Sequence, residues 1–364
     1  MSNSVKLTVV IPVYNAQDYL HQTLDSLIHQ TLREIEIICV DDGSTDRSLE
    51  ILHEYAAKDS RVHVLTQKNQ YAGAARNAGM AIARGEYIHF LDADDYMKPD
   101  AYEVLYSKAI RLNAEVVKAK AYCVDGESGE TLDWTRYALP KIPASLFEKA
   151  ISFTETPDWF DKINVVPWSG IYKLDFLRAH SIQFNRLFCV NDRSFFKEVI
   201  LHAKRVALIP DYIACHRVNL QTSLVGQRAK HFECHFESYR MIERMSRALP
   251  PKLRAVYMEP EMNDVLGWYR TFRKGPLGAQ ITPQVFEFLK DADISLMLKH
   301  CRYLSWLEIW IETMEKAIQT PECAEKRAAL EGMLKMARRK QRAQNSILHR
   351  ALRKAERILS RLAR

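Results

Sequence analysis

Three carboxylates, Asp92, Asp94 and Asp95, follow a nearly uncharged segment, and their spacing could support metal chemistry. Side chains alternate between the two faces of a strand, so Asp92 and Asp94 are predicted to lie on the same side. Carboxylates this close repel one another unless a cation lies between them, and Mg²⁺ and Mn²⁺ prefer oxygen ligands. Such an ion could hold a diphosphate and stabilise it as a leaving group. The simpler alternative is a solvated acidic turn that caps the next helix, with Asp95 or Asp100 near its start.

A second pair of carboxylates, Asp41 and Asp42, ends another strand-like segment. A carboxylate in this position can accept hydrogen bonds from a nucleobase N–H group or a ribose hydroxyl, and Gly43 permits a tight turn after it. The alternative is a plain strand-to-helix turn with Ser44 or Thr45 as the helix N-cap. The two interpretations are compatible.

Small residues surround Arg76 in the segment 73–79, whose sequence is GAARNAG. Small side chains allow a helix to approach the sheet or a ligand closely, and the Arg76 guanidinium could pair with the acidic residues or with a phosphate. Tight helix packing alone would explain the small residues equally well.

The elements that must position these residues alternate between strand and helix. Strand-like patterns occur at 5–14, 34–42, 61–67, 86–92 and 115–122, and helical patterns at 16–30, 44–58, 72–84 and 99–112. This alternation predicts βαβ units and therefore an α/β fold with a mainly parallel sheet covered on both faces. Ligands bind beyond the carboxyl ends of such strands, where the polar clusters described above also lie.

The pattern divides the 364 residues into four parts, and a chain of this length is expected to form two or three units. The alternating pattern covers residues 1–125. Residues 126–227 are rich in turns, prolines and aromatic residues, and residues 228–330 are mostly helical in pattern. Residues 331–364 form a basic tail.

Composition excludes several protein classes. The chain has no apolar run long enough to cross a membrane and no signal-peptide pattern, so a cytoplasmic location is expected. Seven scattered cysteines without a C-x-x-C pair predict reduced thiols rather than a disulfide framework. The net charge is +7, but residues 331–364 alone carry +9, so the rest of the chain is slightly acidic. A nucleic-acid partner is therefore not expected.

The end of the tail, residues 346–364, has apolar residues on one predicted helical stripe and Lys or Arg on the other side. A basic amphipathic helix of this kind is typical of a membrane-surface anchor that binds anionic lipid, here on the inner face of the plasma membrane. A helix that docks on another protein or forms a homo-oligomer needs the same stripe, so both interpretations stay open.

Four sequence segments together resemble the family 2 glycosyltransferases, which have the GT-A fold. They are VVIPVYNAQDYLHQTLDSLIHQT, IICVDDGSTDRSLEIL, GAARNAGMAIARGEYIHFLDADD and WSGIYKLDFLRAHSIQF, and the resemblance covers about residues 5–225. It implies a Rossmann-like sheet, a nucleotide-sugar donor, a divalent metal (Mn²⁺ or Mg²⁺) and an inverting displacement. It also implies that Pro12, Tyr14 and Asp42 surround the base and ribose. Asp92 and Asp94 would engage the ribose and the metal-bound diphosphate.

An inverting displacement needs a general base that takes the proton of the acceptor hydroxyl. Members of the family commonly carry a Glu-Asp pair whose Asp is the base, and the matching segment here is FCVNDRSFF, residues 188–196. The resemblance therefore implies that Asp192 is the base. Asn191 stands where the family has Glu, and this departure from the family pattern bears on how the base is oriented. The alternative is that Asp192 is a helix N-cap.

Two further residues match positions of the family, and a third, His216, stands where the family frequently has Tyr. The resemblance implies that Arg217 closes over the diphosphate of the donor and that Trp168 lies beneath the acceptor sugar. His216 could bind the metal or a phosphate through its imidazole, together with Asp94. A tryptophan of the protein core is the alternative for Trp168.

The sequence therefore predicts an inverting, metal-dependent glycosyltransferase of the hexosyltransferase type. The resemblance implies a UDP-sugar donor and a glycan or lipid-linked acceptor in bacterial surface polysaccharide or lipooligosaccharide synthesis. Residues 1–125 would bind the donor, and residues 126–227 would form the acceptor side. A non-catalytic nucleotide-sugar-binding partner of a glycan assembly complex is the alternative. A sugar-nucleotide pyrophosphorylase would need a Gly-rich loop after the first strand, and IPVYNAQ, residues 11–17, has none.

Overall fold

A computed structural model of the chain describes residues 4–132, 137–139, 141–220, 228–301, 304–317 and 331–345. The chain separates into two compact units, Met1–Cys234 and His235–Arg364. The finer boundaries that the sequence suggests within and after these units stay predictions.

The first unit is built on a sheet of ten described strands, which run in the spatial order β3-β2-β1-β4-β9-β6-β10-β5, with β7 beside β6 and β8 beside β10. The strands are β1 (Leu7–Val13), β2 (Ile35–Asp41), β3 (Val62–Thr66), β4 (Tyr87–Phe90), β5 (Tyr96–Met97), β6 (Val116–Asp125), β7 (Thr131–Leu132), β8 (Ala150–Ile151), β9 (Gly170–Lys173) and β10 (Val206–Val218). Strands β1 and β2 are buried along nearly their whole length, as expected for a sheet covered on both faces.

The prediction of a mainly parallel sheet is confirmed. β1 pairs in parallel with β2 and β4, β2 with β3, and β6 with β10. The short strands β5, β7 and β8 pair antiparallel with their neighbours. Within the centre of the sheet, β9 lies antiparallel between β4 and β6, and the sequence analysis did not identify it. Gly170 makes this close pairing possible, because a Cβ atom there would lie 1.9 Å from the Val117 carbonyl oxygen.

Seven described helices accompany this sheet. They are α1 (Gln17–Ile28), α2 (Ser48–Lys58), α3 (Tyr71–Ile82), α4 (Ala101–Arg111), α5 (Pro157–Phe160), α6 (Leu174–Ala179) and α7 (Asn191–His202). The apolar stripe predicted for α1 is buried at Leu20, Leu24 and Leu27.

The proposed cap of α2 by Ser44 or Thr45 is wrong, because the helix begins only at Ser48. Both residues instead bind the loop after β1. The Asn15 N–H group donates to Ser44 Oγ at 3.1 Å, and the Thr45 N–H group donates to Asn15 Oδ1 at 2.8 Å. These bonds join the loops that follow β1 and β2, because the two neighbouring parallel strands end at the same edge of the sheet.

The predicted helical C-terminal region is confirmed. α8 (Glu233–Ser246) begins at the unit boundary, and the second unit contains α9 (Pro251–Phe272), α10 (Pro276–Asp291), α11 (Ile294–His300), α12 (Leu307–Ala317) and a helix over 331–345. The predicted amphipathic helix at 346–364 lies outside the described residues. Among the residues that are described, no helix is both long and apolar enough to span a bilayer.

Candidate active site

Asp92, Asp94 and Asp95 form an acidic cluster directly after β4. One carboxylate oxygen from each residue lies within 4.8 Å of those of the other two. Asp95 is fully buried, whereas Asp92 and Asp94 are half-buried. The cluster therefore lies at the carboxyl edge of the parallel strands, where the sequence predicts a ligand.

Burial and mutual repulsion perturb these carboxyl groups. Burial, followed by the charges of Asp95 and Asp92, raises the pKa of Asp94 to about 7, and burial also raises the pKa of Asp95. Like charges held this close favour a protonated form unless a cation neutralises them. An oxygen-rich donor set with this excess of negative charge suits Mg²⁺ or Mn²⁺, so these residues fit a divalent cation.

Asp95 connects the acidic cluster to β10, a role that the sequence analysis missed. Its carboxylate accepts from the Arg217 N–H group at 2.9 Å and lies 2.9 Å from His216 Nδ1. Burial would lower the pKa of His216, but the charge and hydrogen bond of Asp95 outweigh it and raise this pKa to about 9. A carboxylate that fixes an imidazole in this way is common behind metal-binding histidines. The sequence signal that could have indicated this role is the third carboxylate of the segment LDADD.

The Arg217 guanidinium lies beside the same cluster. It donates to the Asp94 backbone carbonyl and to the Gln22 side chain, and it lies over the rings of Tyr19 (5.3 Å) and Tyr96 (5.1 Å). The structure thus brings a fixed positive charge to the place where the sequence predicts a diphosphate contact.

Arg76 joins the acidic cluster to the beginning of α7. Its guanidinium donates to Asp92 Oδ1 at 2.6 Å and to Asn191 Oδ1 at 2.7 Å, and Arg76 is only 6% exposed. The Asn191 amide oxygen therefore accepts a hydrogen bond from Arg76 without adding a negative charge. No signal in the sequence alone could have paired these two residues.

Asp192 lies in the first turn of α7 and is half-buried. It is not the N-cap, because that position belongs to Val190, whose φ is 62°. The negative charge of Asp192 acts on the buried ammonium group of Lys118. The backbone neighbour of Asp192, Asn191, is held by Arg76.

The predicted nucleotide-binding residues lie at the ends of β1 and β2. Pro12 and Tyr14 belong to or directly follow β1, and the Tyr14 side chain is 51% exposed. Asp42 is buried, and its Oδ1 atom accepts from Gln67 Nε2 at 2.7 Å and from the Gln70 N–H group at 2.9 Å. Because β1 lies between β2 and β4, these residues share one edge of the sheet with the acidic cluster.

Trp168 occupies a different environment from the one predicted. Its ring is 2% exposed, stacks on the His216 imidazole at 4.7 Å and meets the Tyr137 ring edge-on at 4.9 Å. In this arrangement the ring has no face open to an acceptor sugar, so its placement does not support the predicted acceptor role. Its packing matches the alternative of a core tryptophan, one that supports His216 from beneath.

Similarity to known proteins identifies the family of this chain. The model of the family described as Glycosyl transferase family 2 matches residues 8–167. The chain is 32% identical to glycosyltransferase GlyG of Streptococcus pneumoniae over 58% of its own length and 70% of that protein. The chain therefore belongs to glycosyltransferase family 2.

Three other curated relatives are matched over smaller parts of their own length. The chain is 32% identical to the poly(ribitol-phosphate) beta-glucosyltransferase of Bacillus spizizenii over 57% of its own length and 31% of that protein. Matches to two further curated relatives span only 53% and 24% of those proteins. The structure of S. aureus TarS 1-349 in complex with UDP-GlcNAc matches with a TM-score of 0.62 at 19% identity and covers 94% of this chain and 92% of that one. At this identity the match supports the fold.

Proposed function

We propose that this chain transfers a sugar from a UDP-sugar to a hydroxyl group of a glycan or lipid-linked acceptor, with inversion at the anomeric carbon. The observation that carries the proposal is the acidic cluster at the sheet edge, joined through Arg76 to the segment that carries Asp192. One side of this arrangement suits a diphosphate, and the other offers a carboxylate as a base. The UDP-GlcNAc complex of TarS supports the choice of a uridine nucleotide.

A divalent cation, Mn²⁺ or Mg²⁺, is part of this proposal. Asp92 and Asp94 would hold it, and His216 would contribute through the imidazole that Asp95 orients. When bound, such an ion neutralises charge on a diphosphate leaving group. Arg217 adds a guanidinium on the same side, and Asp42 offers a buried carboxylate to the base or ribose.

Asp192 acts as the general base in this proposal and accepts the proton of the attacking hydroxyl. Arg76 holds Asn191 and thereby orients the first turn of α7, so the base keeps its position relative to the donor. Surface polysaccharide or lipooligosaccharide synthesis is the process that we propose. The name of the B. spizizenii relative, a poly(ribitol-phosphate) beta-glucosyltransferase, supports it.

A donor screen tests the proposal first. The purified chain is heated with UDP, UDP-glucose, UDP-galactose and UDP-GlcNAc, each with Mn²⁺, with Mg²⁺ or with EDTA. We expect at least one UDP-sugar to raise the melting temperature in the presence of metal, and EDTA to abolish the shift. Stabilisation that is equal with EDTA would contradict the metal-dependent site.

The variant Asp192→Asn tests the base. It removes the proton acceptor but keeps the size of the side chain, so we expect transfer to fall by about 10²–10⁴-fold while the thermal shift with the donor persists. The matched control is Asp211→Asn, on β10. Full transfer by Asp192→Asn would contradict the assignment. A wild-type protein that binds UDP-sugars but never transfers or hydrolyses them would favour the non-catalytic alternative.

A further inference from the structure

Two of the non-glycine residues with left-handed backbone conformations stand at the starts of α3 and α7. Tyr71, the first residue of α3, has a φ of 69°, and Val190, directly before α7, has a φ of 62°. This region is unfavourable for side chains with a Cβ atom, and a β-branched residue such as Val is a true outlier there. Strain of this kind concentrates where a site needs a fixed geometry.

The two strained segments meet through an aromatic contact. The Tyr71 ring is edge-on to the Phe188 ring at 5.3 Å, and Phe188 stacks on the His231 imidazole at 3.9 Å. Tyr71 is 42% exposed and Phe188 is half-buried, so part of this aromatic surface faces solvent. Cys189, next to Phe188, packs against Cys234 and so holds the segment from behind.

The aromatic pair connects two segments that belong to different parts of the proposed site. On one side, the residue before Tyr71 donates its backbone N–H to Asp42, the predicted ribose or base contact. On the other side, Phe188 belongs to the segment that leads into Asn191 and Asp192. The Tyr71–Phe188 contact therefore joins the segment that binds Asp42 to the segment that carries Asp192.

We propose that Tyr71 and Phe188 form a subsite that binds the C–H face of a pyranose ring, either of the donor or of the acceptor. The inference rests on the function proposed above and names a contact to its substrate. Aromatic rings supply a large apolar surface with little conformational entropy to lose, and the Tyr71 hydroxyl remains able to hydrogen-bond. The hydroxyl groups of a pyranose lie around its rim, which leaves its C–H face free for such a ring.

Strain at Tyr71 supports a role in binding rather than in folding. Glycine adopts positive φ without the steric cost, so Tyr71→Gly would relieve the backbone strain. The Tyr71 ring is 42% exposed, so its burial offsets only part of the free-energy cost of the backbone strain. We therefore attribute the tyrosine at this position to a contact between its ring and a bound sugar.

The test compares Tyr71→Gly with Tyr71→Phe and with Ile82→Ala. Phenylalanine keeps the ring, and Ile82 is an exposed residue at the other end of α3. Because glycine suits the backbone at residue 71, Tyr71→Gly is expected to fold. Calorimetry with Mn²⁺ measures the affinities for UDP, UDP-glucose, UDP-galactose and UDP-GlcNAc. Saturation-transfer NMR of the UDP-bound protein measures contact with methyl glucoside, methyl galactoside and methyl N-acetylglucosaminide.

We expect Tyr71→Gly to weaken binding of one class of sugar by about tenfold and Ile82→Ala to leave it unchanged. Tyr71→Phe should retain most of the affinity because it keeps the ring. Weaker UDP-sugar binding with unchanged UDP binding assigns the subsite to the donor sugar. A loss of signal from the methyl glycosides alone assigns it to the acceptor. Equal loss for UDP and UDP-sugars would place the ring on the nucleotide and overturn the proposal.

Unchanged sugar binding in both experiments would also overturn the subsite. A wild-type protein that binds no UDP or UDP-sugar would instead refute the function proposed above, and the subsite with it. The two failures are therefore distinguishable from the wild-type measurement alone.

Discussion

Lys118 is a fully buried lysine on β6, in the interior of the first unit. Its ammonium group donates to the Val166 carbonyl oxygen at 2.5 Å and lies over the Phe196 ring at 5.1 Å. Burial lowers the pKa of Lys118 to about 7, and the negative charge of Asp192 only partly opposes this effect. A buried charge without a paired carboxylate is costly, so this residue should influence how stability depends on pH.

The sign of that dependence follows from the lowered pKa. Between about pH 7 and about pH 10, the unfolded chain keeps the Lys118 proton while the folded chain releases it, so stability rises with pH across this window. We expect Lys118→Met to flatten this rise and to raise the free energy of unfolding most below about pH 7. Urea unfolding at several pH values measures both effects.

Lys120→Met, two residues along the same strand, is the matched control. Its side chain is half-buried over the rings of Phe147 and Tyr212. Equal pH slopes for the wild type and Lys118→Met would show that Lys118 is not the group responsible.

At the scale of elements, the important contact is between α3 and the segment that leads into α7. The Asn77 amide donates to the Phe184 carbonyl at 2.8 Å and accepts from the Phe184 N–H group at 2.9 Å. Arg76 binds Asn191, and a Cβ atom at Gly73 would lie 1.9 Å from the Asn185 carbonyl oxygen. The small residues of α3 therefore allow a close approach that fixes the start of α7.

Gly73→Ala tests this approach. The added methyl group meets backbone rather than a flexible side chain, so the two segments must separate, at a cost of about 1–3 kcal/mol in the free energy of unfolding. We expect sugar transfer to fall more than UDP binding, because the displaced segment carries Asp192. Denaturant unfolding, calorimetry with UDP and a transfer assay measure the three quantities.

The control is Gly267→Ala in α9, where an added Cβ atom has nothing within 4 Å. Alanine is the better helix former, so this variant should gain up to about 1 kcal/mol. If Gly73→Ala were as stable and as active as the wild type, the close approach would not matter for the site.

At the scale of the whole molecule, positive charge is concentrated near the C-terminal end. A groove is lined by Glu315 and by residues of the helix over 331–345, most of which are basic. These helix residues are Glu331, Leu334, Lys335, Arg338, Arg339 and Arg342. Arg338 pairs with Glu315 at 2.6 Å, so part of this charge is neutralised within the protein. The sequence of residues 346–364 adds further cations, and it predicts an anionic membrane surface as their partner.

Deletion of residues 346–364 tests the membrane prediction. The full chain is expected to sediment with vesicles that contain phosphatidylglycerol and to be released by salt, whereas the shortened chain should bind much more weakly. Neutral phosphatidylcholine vesicles are the control, and UDP-sugar hydrolysis should be unchanged by the deletion. If vesicle binding were the same in both proteins while light scattering showed a smaller oligomer after deletion, the helix would serve self-association.

The sequence by itself determined the elements and the chemistry available at their ends. Alternation of strand and helix patterns predicted the parallel sheet, and the topology of such a sheet places Asp42 and the acidic cluster at one edge. These conclusions were accessible because the periodicity of strands and helices is a local property and because helices that connect successive strands imply parallel pairing. The suggested caps at Ser44 and Thr45 failed because the loop of Asn15 competes for the same hydrogen bonds.

Only the tertiary structure decided which of these groups meet. Asp95 binds His216 across 121 residues of sequence, and Arg76 binds Asn191 across 115. The same long-range packing inserted β9 into the sheet and buried Trp168 beneath His216. No local pattern encodes such partners, because each contact depends on how separate segments pack against the sheet and not on the residues adjacent in sequence.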